Sequence, residues 1–288
     1  RTGLVAAQSY EAALADHGIA AVDICTPTPT HFPLLQQAIA AGKHTFVEKP
    51  LCETSSQARA LLAQSEAAKR VCAVGYIYRF APAFEKLKEL LGSPASPGPL
   101  GRPVSATLQI GGRGSHAVWK HRRDQGGGAK SEMLVHMVDL ATWLFGADGK
   151  VELLVERLLR PMRTINGATV QADAEDYVVA RADFGGVEIL IQADFVTPAF
   201  SQSVAVQGEN GSFVGSIQAE TPTSLFLDAP AQGYDKGKKT FAFTDNDLFE
   251  KQMKDFVAAI TREGHRPRCP IAESVRVMEM LESLSSPA

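Results

Sequence analysis

Three short apolar runs, AVDIC (Ala21–Cys25), HTFV (His44–Val47) and VCAVGY (Val71–Tyr76), are each separated by a stretch with helical composition. That alternation constrains the fold more than any other feature of the chain. Strands joined by helical crossovers of this length build βαβ units and a parallel sheet, so the first part of the chain reads as α/β. The intervening helices are expected over Thr30–Ala41, ended by Gly42, and over Ser55–Lys69, with Ser55 or Ser56 as the N-cap; a shorter helix is expected over Ser9–Asp16. The second strand ends on Glu48-Lys49-Pro50, an acid, a base and a proline in succession. None of these continues a buried strand, so the segment reads as a turn carrying chemistry.

The pattern changes after Phe80. Phe84–Leu91 is amphipathic, and SPASPGP (Ser93–Pro99) reads as a loop. Farther on, Val178, Ala180, Ala182 and Phe184 share one strand face, and Val187, Ile189, Ile191, Ala193 and Phe195 share another. Gly185-Gly186 between them signals a hairpin. The second part is therefore an α+β domain with a large, mostly antiparallel open sheet. We divide the chain into residues 1–100, the α/β part, and 101–288, the α+β part. There is no internal repeat.

Composition excludes several functions. With 45% hydrophobic residues, 21% charged residues and a net charge of −3, the chain lacks the broad basic surface of a nucleic-acid binder. No apolar run approaches the ~20 residues of a membrane-spanning helix. The four cysteines, Cys25, Cys52, Cys72 and Cys269, form no CxxC pair and read as reduced thiols, which points to the cytoplasm.

Candidate ligand-binding motifs fall at the carboxyl ends of the parallel strands, where open α/β sheets bind ligands. These are TPTPTH (Thr26–His31), the Glu48-Lys49-Pro50 turn, and YIYRF (Tyr76–Phe80). A fourth motif, GGGAKSEMLVHMVDLATWLFG (Gly126–Gly146), passes from glycines into a helix on which Glu132 and His136, four apart, share a face. Taken alone, His136 reads first as a packed structural histidine. Together with His116 and His121, Glu132 and His136 also raise a metal-site reading.

These motifs, in this order, resemble the glucose–fructose oxidoreductase / inositol dehydrogenase / rhizopine-catabolism (Gfo/Idh/MocA) oxidoreductase family. The resemblance covers most of the chain and is strongest between Ala21 and Gly146. It implies a Rossmann domain followed by a C-terminal α/β domain whose open sheet builds a homodimer or homotetramer. It also implies hydride transfer between NAD or NADP and a sugar or polyol carbon. By the same resemblance Lys49 is the catalytic lysine, with Pro50 fixing its turn through a peptide bond that is often cis, and His136 is the acid–base residue. Glu132 stands where many relatives have aspartate, four residues before the histidine. Thr26, Pro27, His31, Glu48, Lys49, Pro50, Arg79 and Trp119 are the expected cofactor-lining residues. No resident metal is implied.

The chain departs from the pattern at its start. No GxGxxG occurs, and the resemblance implies about 40 further residues holding the phosphate-binding turn. The chain as given is accordingly expected to bind dinucleotide poorly. Two other readings are a non-catalytic cofactor- or sugar-binding protein on the same fold and a metal-dependent hydrolase or lyase using Glu132 and His136.

Overall fold

A computed structural model describes residues 5–113, 117–218, 220–244 and 247–284. By its contacts the chain forms two compact units. One comprises residues up to Gly75 with Met253–Met278, the other Tyr76–Gln252 with residues from Glu279 onward.

The first unit is built around a parallel sheet in the order β1 (Ala21–Ile24), β2 (His44–Val47), β3 (Cys72–Val74). Helix α1 (Tyr10–Ala15) precedes it, started by Ser9, whose Oγ accepts the N–H of Ala12 at 3.1 Å. Helix α2 (His31–Ala40) follows a single 3₁₀ turn at Thr28–Thr30, and Gly42 then leaves the helix at φ 73°. Helix α3 (Ser55–Ala68) is capped one residue earlier than the sequence suggested. Thr54 is the N-cap; its hydroxyl accepts the N–H of Gln57 at 3.2 Å, and the Gln57 side chain accepts the N–H of Thr54 at 3.3 Å. This reciprocal pair satisfies two helix-end donors at once, which neither serine achieves; Ser55 is already inside the helix and buried.

A segment distant in sequence completes this unit, with no local pattern to announce it. In helix α6 (Leu248–Thr261), Phe256 packs on Phe46 with ring centroids 5.7 Å apart, and Met253 and Ile260 join the same cluster. Farther along, Cys269 accepts the N–H of Val74 at 3.0 Å and Pro270 bridges Ala73, so the free edge of β3 is occupied. Helix α7 (Ile271–Ser283) follows directly.

The second unit opens with a 3₁₀ turn, Ile77–Phe80, and helix α4 (Pro82–Leu91), with proline in the first turn where its missing N–H costs nothing. The SPASPGP segment is more ordered than a loop. Gly92–Ser93 (β4) and Ser96–Pro97 (β5) form a small hairpin, held by the Ser93 hydroxyl accepting the N–H of Ser96 at 3.1 Å.

The main sheet contains β6 (Pro103–Gly111), β7 (Lys150–Arg157), β10 (Tyr177–Asp183), β11 (Glu188–Asp194), β12 (Ser201–Gly208), β13 (Gly211–Gly215), β14 (Thr223–Leu227) and β15 (Gly237–Phe241). Their order is β15-β14-β13-β12-β6-β11-β10-β7; a separate hairpin pairs β8 (Met162–Ile165) with β9 (Ala168–Gln171). The pairings in the main sheet are antiparallel except β11 with β6, which is parallel. The chain leaves β6 through helix α5 (Val135–Phe145) and returns through β7 and β10, which brings β11 alongside β6 in the same direction. The β10–β11 hairpin turns at Gly185 and Gly186, with φ of 67° and 94°, values an L-residue adopts at a cost. One sheet face is core, with Leu108, Ile110, Ala180, Ile191, Val204 and Phe213 all fully buried. The alternate residues face outward, as the period of two requires.

Candidate active site

The first unit gathers six of the predicted residues at the carboxyl ends of β1 and β2. Main-chain bonds carry the register outward, from Glu48 N–H to Ile24 O at 2.9 Å and from Gly75 N–H to Val47 O at 2.8 Å. A Cβ at position 75 would lie 3.0 Å from Glu48 Oε2, so the glycine is what lets the Glu48 carboxylate pack over the end of β3. Lys49 and Glu48 are half-buried, Pro50 and Leu51 are buried, and the Lys49–Pro50 peptide bond is cis.

The 26–31 turn is knitted internally. The Thr30 hydroxyl lies 2.6 Å from Thr26 Oγ1 and donates to Pro27 O at 2.7 Å. His31 is buried, with Nδ1 2.8 Å from Pro50 O and Nε2 2.7 Å from Thr26 O. Beside this turn, partial burial followed by the Asp23 carboxylate accepting the Cys25 S–H pushes the Cys25 thiol up to about 12. Cys25 is thus a thiol, not a thiolate, at neutral pH.

The second unit holds the remaining predicted residues, and its glycine triplet explains how they are set. Gly126 sits at φ 77°. A Cβ on Gly127 would come within 2.5 Å of the Trp119 and Lys120 carbonyl oxygens, and one on Gly128 within 2.3 Å of Glu175 Oε1. Gly127 and Gly128 therefore let the Trp119–Lys120 segment and the Glu175 carboxylate close on the start of the α5 region. Glu175 accepts the N–H of Lys130 at 3.1 Å, yet its burial raises its pKa above the usual carboxylate value.

The helix that carries Glu132 is not α-helical there. Lys130–Leu134 is a π turn, and α5 proper begins at Val135. The Glu132 carboxylate, buried, meets Lys120 Nζ at 2.7 Å, while the Lys120 ammonium lies 5.3 Å from the centre of the Trp119 ring. Lys120 was not singled out from sequence; an ion pair between positions 12 apart leaves no local pattern.

His136 is half-buried and packs on Tyr78, ring centroids 4.7 Å apart. Desolvation drives the Tyr78 hydroxyl pKa up, so it stays a neutral phenol. Arg79 is fully buried. Its Nε and Nη2 donate to Asp139 Oδ2 and Oδ1 at 3.0 and 2.6 Å, tying the 3₁₀ turn to α5 one helical turn past His136. The planar fork on a carboxylate is the arrangement in which a guanidinium tolerates burial.

His121 packs edge-on against Phe195 at 5.2 Å in the core, and His116 lies outside the described residues. Among the described residues, no group of three or more His, Cys, Asp or Glu is placed to hold a metal ion. Two cavities of the second unit, about 270 and 590 Å³, are lined by the Ser216–Thr223 region and by the Phe184–Val187 hairpin; neither includes a predicted site residue. No helix among the described residues is long and apolar enough to cross a membrane.

Residues 1–76 match the model of the NAD-binding Rossmann fold of the GFO_IDH_MocA oxidoreductase family, and residues 96–285 match the family's C-terminal alpha/beta domain. The uncharacterized oxidoreductase YdgJ of Escherichia coli K12 is 32% identical over 202 residues, covering 69% of this chain and 54% of that protein. The chain thus spans about half the length of that relative. Inositol 2-dehydrogenase of Rhizobium meliloti is 26% identical over 255 residues, covering 85% of this chain and 71% of the enzyme. The solved structure of levoglucosan dehydrogenase with NADH and levoglucosan superposes with a TM-score of 0.84 at 21% identity, covering 96% of this chain and 80% of that one. This last likeness is one of fold.

Proposed function

The chain belongs to the Gfo/Idh/MocA oxidoreductase family, and from that premise we propose that it moves a hydride between NAD or NADP and a secondary alcohol or ketone carbon of a sugar, cyclitol or related polyol. The observation that carries the reading is Lys49, set in a turn at the carboxyl edge of the parallel sheet beside the knitted 26–31 turn. In open α/β sheets that edge is where dinucleotides lie.

The residues present fit the nicotinamide end of such a cofactor. The 26–31 turn offers hydroxyls and main-chain groups at the carboxyl end of β1. Thr26, Pro27, Glu48, Lys49 and Pro50 would form this wall; His31, buried with both ring nitrogens on main-chain carbonyls, and Arg79, buried on Asp139, do not line it as the sequence suggested. The bound nicotinamide supplies the hydride acceptor or donor.

The protein's part is proton handling and orientation. His136 takes the hydroxyl proton during oxidation and returns it during reduction, and Lys49 donates a hydrogen bond to the reacting oxygen as charge develops on it. Glu132, paired with Lys120 at 2.7 Å, accepts hydrogen bonds from substrate hydroxyls. In this reading residues 1–100 serve the cofactor and residues 101–288 the substrate and assembly. The four free cysteines support a cytoplasmic setting. A panel of sugars and cyclitols, assayed with NAD⁺ and with NADP⁺ for formation of reduced nicotinamide, tests the proposal; no turnover anywhere in the panel despite cofactor binding would reject it.

A further inference from the structure

One buried side chain joins the two turns of the first unit without a part in the chemistry just proposed. His31 begins α2 and is 1% exposed. Its two ring nitrogens face two carbonyl oxygens, Pro50 O at 2.8 Å and Thr26 O at 2.7 Å. Carbonyl oxygens only accept, so each contact is a hydrogen bond when the nitrogen facing it carries a proton. Pro50 is the residue bonded to Lys49, and Thr26 opens the turn after β1. Main-chain pairing aligns the two strand ends as far as the Glu48 N–H on Ile24 O, and the His31 ring, which bonds both carbonyls at once only when both nitrogens carry a proton, ties them again beyond that point. The ring comes from a firm base, since Leu35 and Ile39 on the same helix are fully buried.

We propose that His31 is a positioning residue, clasping the 26–31 turn to the 48–50 turn and so fixing the backbone from which Lys49 projects. This rests on the reading of Lys49 as a proton-handling residue. A lysine on a flexible four-carbon stem is accurate only if its Cα is held, and a displacement of about 1 Å can cost ~10²-fold in rate. His31 thus touches neither substrate nor hydride in this role; it acts through Lys49.

Hydrogen exchange resolved by peptide tests the clasp without requiring turnover. His31→Phe fills the space and donates neither bond, whereas His31→Gln keeps one amide group able to donate one. In His31→Phe, exchange should rise by about tenfold or more in both 25–31 and 48–54, with α3 and β3 still protected; His31→Gln should fall between. Loosening of 25–31 alone, or loosening spread evenly through α3 and β3, would overturn the clasp. Kinetics supply the second arm. His31→Phe should lower kcat while leaving KM for the cofactor near wild type, and adding His31→Phe to Lys49→Met should cost nothing further. Wild-type turnover in His31→Phe beside an inactive Lys49→Met overturns the positioning role alone. Wild-type turnover in Lys49→Met instead ends the reading of Lys49, while the exchange data still decide whether the clasp exists.

Discussion

Single residues carry the chemistry, and three of them give direct expectations. In a chain that also carries the phosphate-binding turn, Lys49→Met and His136→Ala should each lower turnover by ~10²–10⁴-fold, the usual contribution of a general acid or base, with cofactor binding largely kept. Glu132→Gln should cost less, since the amide still meets substrate hydroxyls. Steady-state rates within about threefold of wild type for Lys49→Met or His136→Ala would remove that residue from the mechanism. Glu175 predicts a pH effect on stability. Its folded pKa lies above the ordinary 4.5, chiefly through burial, so its contribution is present at acid pH and is lost as pH rises through the raised value. Glu175→Gln preserves the acceptor for the Lys130 N–H and removes the charge. The variant should match wild type near pH 4 and be the more stable by neutral pH in urea melts. A Gln variant less stable at neutral pH would show that the ionised carboxylate is needed.

At the scale of elements, local signals and long-range contacts divide cleanly. The HTFV run becomes β2 over the expected residues, and the β10–β11 hairpin turns on the Gly185-Gly186 pair as its sequence implies. The π turn at Lys130–Leu134 was not legible, because a π bulge has no residue pattern of its own and is set by what surrounds it. Helix α6 is amphipathic in sequence, but its partner is more than 200 residues away: Phe256 (5% exposed) on Phe46 (3% exposed). Phe256→Ala should therefore destabilise the parallel-sheet unit by ~3–5 kcal/mol, the range for emptying a buried phenylalanine site. Exchange in α2, α3 and β2 reads this out; unchanged protection there would mean that α6 is not part of that unit's core.

For the whole molecule, the open sheet is the feature that calls for a partner. Its outward face places Leu190, Ala205 and Val214 along one row of the register, with Phe226 in the neighbouring row. Leu190, Val214 and Phe226 are 45%, 40% and 48% exposed, an apolar grouping that water solvates poorly. We propose that this face forms the contact of a homodimer or homotetramer. Leu190→Arg with Val214→Arg should convert the assembly to monomer in size-exclusion chromatography with light scattering, leaving circular dichroism unchanged. A wild-type chain that runs as a monomer at micromolar concentration would sink the proposal.

What the sequence determined by itself is whatever depends on neighbours within a few positions. The strand periods, the boundaries of α1, α2 and α3 to within a residue and the Gly185-Gly186 turn are all set by residues close in sequence. Only tertiary structure decided the rest. Cys269 and Pro270 return to the edge of β3; Glu175 presses on Gly128; Lys120 claims Glu132; and Arg79, which from sequence could have been a surface charge, is sealed against Asp139. Each of these joins segments that chain entropy keeps apart until the hydrophobic core closes. A charge also chooses its partner only once burial has removed water as the competitor.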